Sequence, residues 1–271
     1  MSFNVLITGD SLSYNRYDYD TIHRVNAYDC YAGMESWSFQ LRDYLIKKDK
    51  NYFDGIDIVI TGAENVKANE LNLNPMAIIN KDNCRIIKIG KDTEKVTLKL
   101  PLKKAQHAVL YIQNILEASC LFDAYYNGNI FLKNYSNKGD AGYFHGMELK
   151  SVQFNIDKNA EEHTVEINNF RLESEHAFII ISGGGSCNYS VYLTGKGGST
   201  AAFLTENFEE RIARYNPDLL IFTTGANDKF KLSLDEHREH IEKFFDRIKN
   251  INKDCKIIAI GASKTTDESI V

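Results

Sequence analysis

Proline is scarce in this chain, three among 271 residues, and tryptophan occurs once. With only 17 glycines beside it, no Pro/Gly-rich linker or fibrous repeat is available, and a folded globular chain is expected. No apolar run approaches the roughly 18 residues that a membrane helix requires, so a membrane is not an expected partner. No Cys-x-x-Cys spacing occurs either. The five cysteines (Cys30, Cys84, Cys120, Cys187, Cys255) are scattered and odd in number. That argues against a disulfide framework or a zinc site and fits a reducing compartment. Residues 3–8 already read as a core strand, so no signal peptide is expected, and the location this indicates is cytoplasmic. A basic stripe is missing as well. Against 37 Asp and Glu stand 32 Lys and Arg, interspersed, for a net charge of −5, and nucleic acid is not an expected partner.

What is present falls into two textures. Phe3–Thr8 is a short apolar strand, and Trp37, Leu41, Tyr44 and Leu45 recur at helical spacing. The β-branched run Gly55–Thr61 reads as a buried parallel strand. From about Cys84 to Ile181 short strands follow one another without helices, among them Lys95–Leu100, His107–Gln113, His163–Ile167 and Ala177–Ile181. Turn signals such as Asn127-Gly128 fall between them. The first texture returns with strands at Tyr189–Thr194, Leu219–Thr223 and Lys256–Gly261. A helix is expected up to about Tyr215 and another over Ser233–Lys249, opened by a Ser233/Glu236 capping box. The pattern predicts a doubly wound, flavodoxin-like parallel sheet in three α/β/α layers, interrupted by an all-β insertion, a sandwich or jelly roll. The expected segments are 1–82 with 186–271 for the core and 83–185 for the insertion, with Gly183–Gly185 as the joint.

Three strand ends carry unusual residues: Gly9-Asp10-Ser11-Leu12, Gly197-Gly198-Ser199-Thr200 and Gly225-Ala226-Asn227-Asp228. Taken alone, Gly-Asp-Ser is equally an ordinary strand-to-helix turn and Asn-Asp a turn or cap. If the strands are parallel, all three loops open on one edge, where ligands of open α/β sheets bind. A hydroxyl, a glycine amide and a carboxamide gathered there are the parts of acyl transfer. No Lys-Ser/Thr follows the glycines, which argues against a Walker loop, and neither cofactor nor metal is expected.

On these blocks the sequence resembles the SGNH (GDSL-type) hydrolases, over roughly 1–80 and 189–261. The resemblance implies Ser11 as nucleophile. It implies an oxyanion hole made by the Ser11 N–H, the Gly198 N–H and the Asn227 side chain, with Asp228 bracing the loop. It also implies an Asp-x-x-His block after the last strand, and nothing beyond Asp228 has that spacing. The one Asp-x-x-His in the chain is Asp20–His23, while His237 and His240 read as surface residues of a helix. Three accounts of the missing base stand open: a piece of a longer hydrolase, a fold that has lost turnover, or a histidine borrowed from a partner chain or the insertion (His107, His145, His163, His176). The expected function is a serine esterase removing acyl groups, acetyl among them, from a carbohydrate or similar hydroxylated substrate. Tyr125, Tyr126, Tyr143 and Phe144 could stack on sugar rings, although ordinary core and hairpin packing of the insertion is the reading their type favours. The rival is a non-catalytic glycan-binding or structural module.

Overall fold

The computed structural model describes residues 3–9, 31–33, 37–67, 82–139, 149–196 and 198–261. Through them run the strands β1 (Phe3–Gly9), β2 (Tyr31–Gly33), β3 (Tyr52–Asp54), β4 (Val59–Thr61), β5 (Glu64–Val66), β6 (Arg85–Gly90), β7 (Lys95–Leu100) and β8 (His107–Gln113). There follow β9 (Cys120–Tyr126), β10 (Asn129–Ser136), β11 (Leu149–Asn155), β12 (His163–Leu172), β13 (His176–Cys187), β14 (Tyr189–Leu193), β15 (Leu219–Thr224) and β16 (Lys256–Gly261). The helices are α1 (Trp37–Lys48), α2 (Ala201–Glu206), α3 (Phe208–Arg211) and α4 (Leu234–Ile251).

Among the described residues β-sheet predominates, 48% strand against 23% helix, and the larger sheets are antiparallel. This overturns the expected three-layer, flavodoxin-like α/β/α architecture. Two compact units form, one from Met1–Tyr19, Ser36–Ser38 and Tyr189–Val271, the other from Asp20–Glu35 and Phe39–Asn188. Residues 39–67, expected in the α/β core, pack with the β-rich unit. Gly55–Thr61 shows why. It is a 3-10 turn, Gly55–Asp57, followed by β4, which pairs antiparallel with β7 and sets Ile60 opposite Leu98. A β-branched run favours extended backbone but does not encode the direction of its neighbour.

In the β-rich unit one sheet runs β10-β9-β12-β7-β4 and the other β2-β11-β8-β13-β6-β5, with β3 also paired to β13. Alternation puts every second residue of β7 and of the first half of β12, His163–Ile167, inside. Leu98, Phe122 and Val165 of the first sheet share one core with Ile87, Leu110, Val152 and Ile179 of the second. Gly183–Gly185 is not a joint between segments but lies within β13, between β3 and β8. A Cβ on Gly184 would stand 2.2 Å from the Val109 carbonyl oxygen, and one on Gly183 2.4 Å from that of Phe53. Glycine is what lets the backbones approach there.

The other unit holds four parallel strands in the order β14-β1-β15-β16. β1 is buried continuously from Val5 to Thr8, as a strand covered on both faces must be. Leu6, Leu220 and Phe222 pack with Phe208 of α3 and with Phe244 and Ile248 of α4. The Phe222 and Phe244 rings stack at 4.8 Å. The helix expected to run to Tyr215 is broken into α2, α3 and a 3-10 turn, Ala213–Tyr215, with Asn207 turning its side-chain amide back onto the Phe203 carbonyl. The capping box at Ser233 is present and starts α4 directly after the loop that leaves β15.

Candidate active site at three strand ends

Parallel strands end on the same side, so Gly9, Thr194 and Thr224 bring three loops to one edge of the four-stranded sheet. Gly9 leaves β1 with φ +139°, and a Cβ there would lie 2.0 Å from the Thr223 carbonyl oxygen, so only glycine fits beside β15. The Gly9 carbonyl accepts from the Lys196 N–H at 2.9 Å and from the Ser199 hydroxyl at 2.8 Å. The Thr194 hydroxyl lies 2.9 Å from that of Thr8. The first strand end is thereby fastened to the second loop.

The second loop is fastened to the third. Asn227 Nδ2 donates to the Ser199 carbonyl at 3.1 Å, and Lys231 Nζ donates to the Gly198 carbonyl at 2.9 Å. Gly198 has φ +76° and open space where a Cβ would stand.

Asp228, 3% exposed, joins the loops from beneath. Its Oδ1 accepts from the Ala201 N–H at 2.8 Å, and His237 Nδ1 lies 2.9 Å from the same oxygen. Oδ2 accepts from the Thr224 hydroxyl at 3.0 Å and the Gly225 N–H at 3.2 Å. Burial alone would push this carboxyl up. The bonds from the Ala201 N–H, His237 and Thr224 outweigh it and hold the group below its ordinary 3.8. Asp228 is therefore an ionised anchor at neutral pH, with both oxygens engaged.

Of the residues singled out in the sequence, Gly198, Asn227 and Asp228 stand together here, whereas Ser11 and Asp20–His23 lie outside the described residues. His237 is not the surface residue expected of it: its side chain is 27% exposed and its ring meets Asp228. One signal was available in the sequence. His237 sits four positions after the Ser233 cap, and the first turn of a helix that follows a strand-end loop returns to that edge. The described histidines of the β-rich unit serve that unit. His107 Nδ1 lies 2.9 Å from Asn155 Oδ1, His163 Nδ1 lies 2.8 Å from the Tyr126 hydroxyl, and burial lowers both imidazoles. Tyr126 is a core residue rather than a sugar platform, and Tyr143 and Phe144 lie outside the described residues. Among the described residues no group of His, Cys, Asp and Glu is arranged to hold a metal, and no helix is long and apolar enough to cross a membrane. The four described cysteines are buried thiols.

No protein-family model and no curated protein matches the chain. Among solved structures it is similar to a peptidoglycan O-acetylesterase, with 15% identity over 96% of this chain and 67% of that one, at a TM-score of 0.37. It is similar to a catalytic mutant of an acetylxylan esterase from Geobacillus stearothermophilus, 23% identical over 27% of this chain and 37% of that one, TM-score 0.25. It is also similar to CBM35 from Paenibacillus barcinonensis, 12% identical over 49% of this chain and 94% of that one, TM-score 0.32.

Proposed function

We propose that the chain is a serine esterase of the SGNH type, removing acyl groups such as acetyl from a carbohydrate or similarly hydroxylated substrate. The observation that carries this reading is the closed set of bonds around the sheet edge: Gly9 to Lys196 and Ser199, Ser199 to Asn227, Ala201 to Asp228. Such bonding fixes Gly198 and Asn227 relative to the end of β1 before any substrate arrives, and preorganised donors are what an acyl-transfer site needs. In this reading Ser11, two residues beyond Gly9, attacks the ester carbonyl carbon while its hydroxyl proton passes to a general base, which returns it to the departing sugar oxygen. The negative charge developing on the carbonyl oxygen is met by the Ser11 N–H, the Gly198 N–H and the second Nδ2 hydrogen of Asn227. Collapse expels the sugar alcohol, and water then releases the acyl group from Ser11. Asp228 stays outside the chemistry and keeps the loops in place.

The test is acetate release from acetylated xylan and turnover of p-nitrophenyl acetate. Ser11→Ala is expected to lower kcat/KM by at least about 10³-fold. Asn227→Ala is expected to lower kcat by about 10²–10³-fold, the usual effect of removing one oxyanion donor. Equal, background rates for the parent chain and Ser11→Ala would overturn the esterase reading and leave the binding-module alternative.

A further inference from the structure

The β-rich unit contains a cavity of about 270 Å³ that plays no part in the ester chemistry. Its walls combine aromatic rings with charge. α1 contributes Phe39, Asp43 and Lys47, four residues apart and so on one helix face. β3 contributes Tyr52 and Asp54, on one face of the strand, and β8 contributes Tyr111. The Phe39 and Tyr111 rings meet at 5.4 Å and a 35° tilt. The Tyr111 hydroxyl donates to Asp43 Oδ1 at 3.1 Å, and Lys47 Nζ lies 2.8 Å from Asp43 Oδ2. Tyr52 is 59% exposed at the rim. Gly184 lies at the wall beside the Phe53 ring, where a Cβ would come within 2.7 Å.

A gap left by imperfect packing is apolar and dry. This one has two carboxylates, an ammonium and a phenol set into an aromatic wall, the composition of a small-molecule site. Its volume lies just below the usual range of roughly 300–1,000 Å³, which fits one ring and not an oligomer. Two acids against one base disfavour an anionic guest. Burial and the Asp43 carboxylate push the Tyr111 phenol up, so it remains a donor.

From this juxtaposition we infer that the cavity binds one neutral pyranose unit, its C–H face on Tyr52 and its hydroxyls donating to Asp43 and Asp54. The site is independent of Ser11, so either assignment survives failure of the other. Saturation-transfer NMR on the full chain with methyl β-xylopyranoside, methyl β-glucopyranoside and methyl β-glucuronide tests it. Transfer is expected to at least one of the two neutral glycosides, with the glucuronide the weakest binder. Tyr52→Ala and Asp43→Asn are each expected to weaken binding about tenfold or more. Tyr52 is exposed, so Tyr52→Ala should not move the melting temperature, whereas Asp43→Asn also disturbs the Tyr111 and Lys47 partners and is read against its own melting temperature; binding lost in Tyr52→Ala at an unchanged melting temperature supports the site. No transfer to either neutral glycoside, preference for the glucuronide, or binding indifferent to both substitutions would overturn it.

Discussion

Asp228 sets one carboxylate against four donors from three elements, and its removal should be felt through all of them. Asp228→Asn keeps the size but misplaces an N–H2 against the Thr224 and Gly225 donors or against Ala201 and His237. A loss of about 1–3 kcal/mol at neutral pH is expected, read from chemical denaturation. The sign of the pH dependence follows from the lowered carboxyl. Its contribution is complete above about pH 4, near the ordinary 3.8, and is lost as the pH falls through the lower folded value. The melting temperature of the parent chain should therefore drop more steeply below pH 4 than that of Asp228→Asn; parallel curves would contradict the anchoring role. Asn227 and Asp228 were legible in the sequence because the residue types and their spacing carry the pattern. The partner His237 was legible only through its place four positions after the Ser233 cap, since eight intervening residues have to fold back before the contact exists.

Among the elements, the end of β1 is the most constrained. Gly9→Ala forces a Cβ against the Thr223 carbonyl and a side chain into φ +139°, so a loss at the upper end of about 1–3 kcal/mol or beyond is expected. Gly198→Ala meets open space at φ +76° and should cost about 1 kcal/mol. Thermal melts of the two variants check the ranking, and equal losses would mean that β1 and β15 are not packed as described. Strand existence was readable from alternation at β7 and at His163–Ile167 of β12 and from the apolar run of β1, and the start of α4 from its capping box, whereas β8, read as alternating, is buried almost throughout. Direction and neighbours were not readable. β4 has the composition of a parallel core strand yet pairs antiparallel with β7, and the three glycines of β13 resemble a hinge although they serve close strand contact.

At the scale of the whole molecule the misreading was one of allocation. The α/β pattern at both ends of the chain suggests that everything before residue 83 belongs to one sheet, whereas residues 39–67 supply strands and a helix to the β-rich unit. Local pattern reports whether a residue is inside, not which core it is inside. Because that unit buries its own apolar face, from Ile87 and Leu98 through Val152 to Ile179, residues 20–188 expressed alone should unfold cooperatively in urea and give a dispersed amide spectrum. A gradual, non-cooperative transition would count against a self-contained core. The account as a whole turns on Ser11 standing among the loops that Gly9, Ser199, Asn227 and Asp228 hold together. Incubation of the full chain with a fluorophosphonate, followed by peptide mass spectrometry, asks this directly. A single adduct on Ser11, absent from Ser11→Ala, is the predicted result; an unlabelled chain, or label on another serine, would contradict it.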